Sequence, residues 1–189
     1  MTEEKSRIRE SMKTLRSSID VNVYRRYCMS IMEQCKSIHE WLEARIVHIY
    51  VSSLNNEVDT LGLIITMLER GKLVVVPRCS LENQELHNIQ LKSIDALKQS
   101  QFGLMEPDFD PDSIMQPDQF DLIIVPVIAF DRIGARIGFG GGYYDRLLSR
   151  CSCPKVGFAY SFQEVERVPV EPHDQRLYII ITEKETLRV

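Results

Sequence analysis

The sequence predicts an α/β fold, a three-layer α/β/α sandwich with a largely parallel sheet. Three observations carry this expectation. Two helical periodicities precede any strand, and short apolar runs rich in β-branched residues then alternate with helical segments, the order that generates βαβ units. One of those runs, Leu122 to Val127, is apolar at successive positions, as suits a central strand covered on both faces. With 189 residues, 44% hydrophobic and 26% charged, the chain is long enough for one well-buried core and reads as a single domain over residues 1–189.

Each element follows from local pattern. Ile8, Met12, Leu15 and Ile19 recur at i, i+4, i+7 and i+11, which sets a first helix over residues 3–18. Asp20 is placed to cap a second helix, in which Val23, Tyr24, Tyr27, Cys28, Ile31, Cys35 and Ile38 keep helical spacing and Trp41 stands at the end as a core residue. Ile46 to Val51 reads as a strand, Thr60 to Arg70 as a helix stopped by Gly71, and Leu73 to Val76 as the next strand, ending before Pro77. A shorter, partly polar strand spans Glu85 to Leu91, and a helical turn spans Ile94 to Gln99. The segment EPDFDPDSIMQPD, with three prolines between Glu106 and Asp118, reads as connection rather than core. Beyond the strand at 122–127 come a glycine-rich turn, a helix from Tyr143 to Arg150, and strands at Lys155 to Ala159 and Tyr178 to Thr182.

Composition excludes several functions. Twenty-three Lys+Arg against 27 Asp+Glu give a formal charge of -4, without the broad positive field that nucleic acid or an anionic membrane surface requires, so neither is expected as a partner. The longest uninterrupted apolar run, Leu122 to Phe130, is nine residues, far below the roughly 20 that span a bilayer. MTEEKSRIRE lacks the apolar stretch of a secretory signal and carries early Glu3 and Glu4, so the expected location is cytoplasmic. Cys28, Cys35, Cys79, Cys151 and Cys153 include no Cys-x-x-Cys pair and are expected to be free thiols. His39, His48, His87 and His173 show no metal spacing and read as structural or surface residues. The sequence does not fix the oligomeric state, for which a monomer is the default.

The chemistry-bearing feature is the glycine-rich turn. Five of the nine glycines, Gly134, Gly138, Gly140, Gly141 and Gly142, fall within nine positions between a buried strand and a helix. Residues without a Cβ let backbone N–H groups approach a ligand closely, and a phosphate chain is the natural partner; a tight structural turn is the alternative. The run is neither a Walker loop, since no Gly-Lys-Ser/Thr closes it, nor a dinucleotide fingerprint, since Tyr143 stands where the last glycine belongs. Arg136 precedes it and Asp145 follows it, supplying the cation and the carboxylate that a magnesium nucleotide needs. Taken alone, Asp145 is equally an ordinary acid of a first helical turn, whose loss costs under about 1 kcal/mol. Lys5 and Arg9, four apart, share a helix face that is otherwise a solvated one.

The run DLIIVPVIAFDRIGARIGFGGGYYDRLL resembles the signature of the 5-formyltetrahydrofolate cyclo-ligase family, also called methenyltetrahydrofolate synthetases. KSRIRESMKTLR, YVSSLNNEVDT and VPVEPHDQRLYIIITE agree with it in order and spacing, so the resemblance spans nearly the whole chain. It implies ATP- and Mg²⁺-dependent cyclisation of 5-formyltetrahydrofolate to 5,10-methenyltetrahydrofolate through a phosphorylated formyl group, with release of ADP and phosphate. ATP would be bound by Lys5, Arg9, Arg136, Ile137, Gly138, Phe139, Gly140, Gly141, Gly142, Tyr143 and Tyr144. The folate would be met by Ser52 and Glu57 and by Phe139, Gly140, Gly141, Gly142 and Tyr143. Asp145 and Asp174 would hold Mg²⁺, and Arg136, Tyr143 and Asp145 would serve the chemistry. Two positions depart from the family pattern: Phe139 and Gly141 stand where some members have a basic residue, and Tyr178 where relatives often have an acid, beside Asp174. The competing readings are a folate-sequestering protein with little turnover, and a kinase or ligase acting on another small amide.

Overall fold

The computed structural model describes residues 3–80, 82, 84–101 and 103–189. The chain opens with α1 (Glu3–Ser17) and α2 (Val21–Ser37). Asp20 caps α2 as expected, its carboxylate accepting the N–H groups of Asn22 at 2.9 Å and Val23 at 3.1 Å. The helix does not reach Trp41. Ile38 turns extended (φ -77, ψ 146), and fully buried Trp41 belongs to a separate short helix, α3 (His39–Glu43).

β1 (Ile46–Ile49), α4 (Leu61–Glu69) and β2 (Leu73–Cys79) form the expected βαβ unit. β2 continues through Pro77 because its pairing with β1 ends at Val75, and the extension pairs only with β3 (Leu86–Leu91). The turn expected at Ile94 to Gln99 divides: one 3-10 turn ends at Ala96, and β4 (Leu97–Gln99) pairs with β5 (Met105–Pro107). The first residues of the Pro/Asp-rich segment are thus strand, and Glu106 is buried rather than part of a solvated connection. β6 (Leu122–Pro126) leads into a hairpin of β7 (Ala129–Phe130) and β8 (Arg136–Ile137), which the glycine count had concealed. α5 (Tyr143–Leu148), β9 (Lys155–Phe158), β10 (Ile179–Ile181) and an additional edge strand, β11 (Thr186–Arg188), complete the chain.

The central sheet has seven strands in the order β11-β10-β9-β6-β1-β2-β3, parallel from β10 to β2 and antiparallel at both edges. Period-two alternation sorts its side chains. Leu122 and Ile124 of β6 pack on the face covered by α2, α3 and α4, whereas Ile123 and Val125 pack against Leu147 and Leu148 of α5. His48, structural as expected, is fully buried beside Phe120 and Tyr144, and burial pushes its pKa down to about 3, so it is neutral. The cysteines are free, and among the described residues no helix is long and apolar enough to cross a membrane.

α1 departs from its apolar pattern. Its buried residues are Lys5, Arg9 and Arg16; Ile8 and Met12 are partly buried against the β7–β8 hairpin, and Leu15 is 46% exposed. The sheet topology explains what those cations reach. The chain leaves β1 toward β2 and later returns to place β6 on the other side of β1, opening a crevice beyond the carboxyl ends of β1 and β6.

Tight packing around β9 yields a stability prediction. A Cβ added to Gly157 would press into Leu177 Cδ1 and stand 2.9 Å from Val127 Cγ2. Gly157→Ala is expected to cost about 1–3 kcal/mol, seen as a lowered urea midpoint at unchanged slope. A midpoint equal to that of the parent would show that Leu177 simply gives way.

Candidate active site

A cavity of about 400 Å³ fills the crevice. Tyr50 and Val51 beyond β1, Pro126 at the end of β6, Pro77 and Cys79 of β2, and Met105 and Glu106 of β5 form its floor and one wall. The segment Arg136 to Asp145 forms another wall, and Lys5, Arg9, Glu171, His173 and Asp174 close the rim. Of the residues expected at the site, only Ser52 is outside this lining.

The glycine wall is shaped by ion pairing at its two ends. Arg136 Nη2 donates to Asp145 Oδ1 at 2.8 Å, joining β8 to the first turn of α5 across the loop. The Arg136 side chain is 2% exposed and that of Asp145 20%. Burial lowers the guanidinium pKa and the Asp145 charge opposes that shift. Asp145 also accepts the Gln175 N–H at 3.1 Å, so it is far more than a solvated first-turn acid. Between these anchors Gly142 has φ 68, a left-handed conformation that side chains disfavour, and provides the start of α5. Arg9 Nε holds the Gly138 carbonyl at 2.8 Å. Tyr143 lies against Gly141, and Tyr144 sinks its ring into the core with its hydroxyl buried and unpartnered among the described residues.

The rim brings opposite charges together. Lys5 Nζ donates to Glu171 Oε2 at 2.9 Å and to Asp174 Oδ2 at 2.5 Å, and Asp174 also accepts the Glu171 N–H at 2.7 Å. Burial alone would raise the Asp174 pKa, but the Lys5 ammonium and the Glu171 N–H bring it below the usual aspartate range. Lys5 and Arg9 are therefore drawn into the rim instead of forming a solvated face. Ligand atoms of Glu171, His173 and Asp174 lie within 4.8 Å of one another. Asp145 Oδ2 takes no hydrogen bond among the described residues. These hard carboxylate oxygens around one rim suit a magnesium ion, which binds few protein ligands and retains water and phosphate oxygens.

The opposite end of the cavity is built around Glu57. Its carboxylate is buried, accepts the N–H groups of Ser53 at 3.1 Å and Leu54 at 3.3 Å, and is pushed above the usual glutamate range by burial. The turn that presents it runs through Asn55 and Asn56 at φ 51 and 50. Arg16 clamps that turn, donating to the Asn55 carbonyl at 2.8 Å and the Leu54 carbonyl at 3.0 Å. Ser52 is spent elsewhere: its hydroxyl donates to Asp59 Oδ1 at 3.1 Å and accepts the Thr60 N–H at 3.2 Å, fixing the entry to α4. Ser52, expected by its spacing from Glu57 to meet the substrate, thus stands just outside the cavity lining. Tyr178 turns its ring under Lys155 Nζ at 5.6 Å and is half exposed.

Arg16, Tyr50, Glu106 and Glu171 were not legible as site residues. Arg16 had a usable signal, because positions 5, 9 and 16 fall within about 40° of one another on a helix of 3.6 residues per turn. Glu171 sat three residues before Asp174, at one-turn distance in the same motif.

A family model described as the 5-formyltetrahydrofolate cyclo-ligase family matches residues 1–183. The chain is 28% identical to the 5-formyltetrahydrofolate cyclo-ligase of Haemophilus influenzae, covering 95% of this chain and 98% of that protein. It is 35% identical over 136 residues to that of Escherichia coli strain K12, covering 69% and 74%. Its structure resembles the 5,10-methenyltetrahydrofolate synthetase of Aquifex aeolicus with a TM-score of 0.85 at 35% identity, covering 97% of this chain and 92% of that one. The synthetase of Mycoplasma pneumoniae shares the fold, with a TM-score of 0.76 at 22% identity over 95% of this chain and 98% of that one.

The unequal burial of the Arg136–Asp145 pair predicts unequal mutant effects. Asp145→Ala leaves a guanidinium in the interior without its counter-charge and is expected to cost about 3–5 kcal/mol. Arg136→Met leaves a carboxylate already in contact with water and is expected to cost less. Chemical denaturation of both variants checks the order; a larger loss for Arg136→Met would contradict it.

Proposed function

The chain belongs to the 5-formyltetrahydrofolate cyclo-ligase family, and from that premise we propose that its cavity activates the formyl group of 5-formyltetrahydrofolate with ATP and closes the ring to 5,10-methenyltetrahydrofolate. One observation carries this reading: a loop of bare amides flanked by Lys5, Arg9 and Arg136 and the buried carboxylate of Glu57 line the same cavity. The first set suits a polyphosphate and the second suits a ring system rich in N–H donors. A volume of about 400 Å³ lies within the range of small-molecule sites.

The chemistry explains why a nucleotide is spent. Amide resonance damps attack at the formyl carbon and makes its oxygen a poor leaving group. Transfer of the terminal phosphoryl group of ATP to that oxygen forms an O–P bond and releases ADP. The neighbouring folate nitrogen then attacks the formyl carbon and loses its proton, and the oxygen departs with phosphate. In this reading the amides from Gly138 to Gly142, with Arg9, Arg136 and Lys5, align the triphosphate and offset the charge that develops on it. Phe139 and Tyr143 line the passage between nucleotide and folate, and Glu57 accepts hydrogen bonds from the pterin. Asp145 and Asp174 would hold Mg²⁺, with Glu171 at the same rim; the ion when bound neutralises phosphate charge. No side-chain nucleophile is needed. The whole chain then acts as one catalytic domain in the cytoplasm, with small molecules as its partners.

Formation of the methenyl chromophore from 5-formyltetrahydrofolate is expected only with ATP and Mg²⁺ both present. Tight folate binding without ATP consumption, or ADP release stimulated by an unrelated amide, would overturn the reading. Glu57→Gln is expected to weaken folate by roughly ten- to a hundredfold, the worth of a charge-assisted hydrogen bond of about 1.5–3 kcal/mol, with KM for ATP unchanged. The same variant relieves a buried charge. Because the folded-state pKa of Glu57 is raised, the parent binds a proton more readily folded than unfolded, and its stability deficit relative to the variant is greatest above that pKa. The deficit is expected to shrink as pH falls toward the ordinary glutamate value of about 4.3. Thermal unfolding of both proteins across pH reads this directly, and a difference independent of pH would be inconsistent with a desolvated carboxylate.

A further inference from the structure

Arg146 lies on α5 outside the cavity, yet its guanidinium makes three contacts that bear on the loop. Nη2 donates to the Gly141 carbonyl at 2.9 Å. Nε donates to the Gln84 carbonyl at 3.0 Å, and Nη2 reaches the same oxygen. The guanidinium carbon stands 5.3 Å from the centre of the Tyr143 ring, within cation–π range. Gln84 has φ 55 and sits in the turn between β2 and β3, the strands that give Pro77, Cys79 and Leu86 to the cavity.

We propose that Arg146 is a positioning residue that aims the Gly142 amide at the nucleotide phosphates and fixes the glycine loop against the β2–β3 wall. The inference rests on the nucleotide reading of this loop. Its physical basis is the peptide plane. In a trans peptide the C=O of one residue and the N–H of the next point in opposite directions, and no bond among the described residues is cis. With the Gly141 oxygen turned outward to Arg146, the Gly142 N–H is turned the other way, and no backbone acceptor among the described residues takes it. No residue from Gly138 to Gly142 carries a charge, so the loop itself binds through amides whose direction sets affinity. A Cβ on Gly142 would stand 2.7 Å from Arg146 Nη1, so the guanidinium in its observed place leaves room there only for glycine.

Titration with a non-hydrolysable ATP analogue in the presence of Mg²⁺ tests this, alongside steady-state methenyl formation. Arg146→Ala is expected to raise the analogue Kd and KM for ATP about tenfold, the scale of one lost hydrogen-bond constraint, with an unchanged far-ultraviolet circular dichroism spectrum and thermal midpoint. Arg146→Lys keeps the charge but not the fork, and is expected to fall between the two. An analogue Kd equal to that of the parent, or a loss that merely follows the unfolded fraction, would overturn the proposal. A parent protein that binds the analogue but forms no methenyl product overturns the proposed reaction and leaves the Arg146 inference to the binding titration. A parent that binds no analogue overturns both.

Discussion

A guanidinium removed from water needs a counter-charge, and the site is organised around that requirement at Arg136. Its partner, Asp145, lies nine residues ahead on the other side of the glycine loop, so the pair sets the distance the loop must span. The constraint propagates. Asp145 also receives the Gln175 N–H, and the neighbouring Asp174 is held by Lys5. Hairpin, helix α5, the 171–175 segment and α1 are thus tied through one continuous set of charged hydrogen bonds, each stronger than a neutral one and each placed at the mouth of the crevice.

The sheet supplies the space and the charges supply its character. A reversal of strand order between β1 and β6 leaves a gap that neither crossover helix fills. α4 on one face and α5 on the other bury apolar residues against alternate side chains of the same strands. The crevice floor is thus backed by apolar packing on both faces, while its polar groups come from α1, β5, β8, α5 and the loops. Two ends emerge with different chemistry, cations and open amides at one, a desolvated carboxylate at the other.

Long periodic elements were readable from sequence: α2 with its Asp20 cap, α4 stopped at Gly71, and the doubly covered strand β6. β7, β8 and β11, of two or three residues each, are too short to show a period, although each pairs with a strand close by in the chain. At the site, the residues from Arg136 to Asp145 were legible because unusual backbone demands unusual composition. Ser52 stands outside the cavity lining, its hydroxyl engaged at the start of α4, as hydroxyls beside a helix start commonly are. In α1 the apolar period located the helix but misjudged its buried face, since cations at 5, 9 and 16 find carboxylates and carbonyls at the crevice. Burial there follows pairing, not hydropathy.

Lys5 meets Asp174 across 169 positions of chain. The rim therefore joins α1 to the 171–175 segment, and the loop-closure entropy of so distant a contact opposes its formation until the sheet has brought the two together. Closure of the rim is consequently tied to the folding of the whole sheet rather than to any local segment.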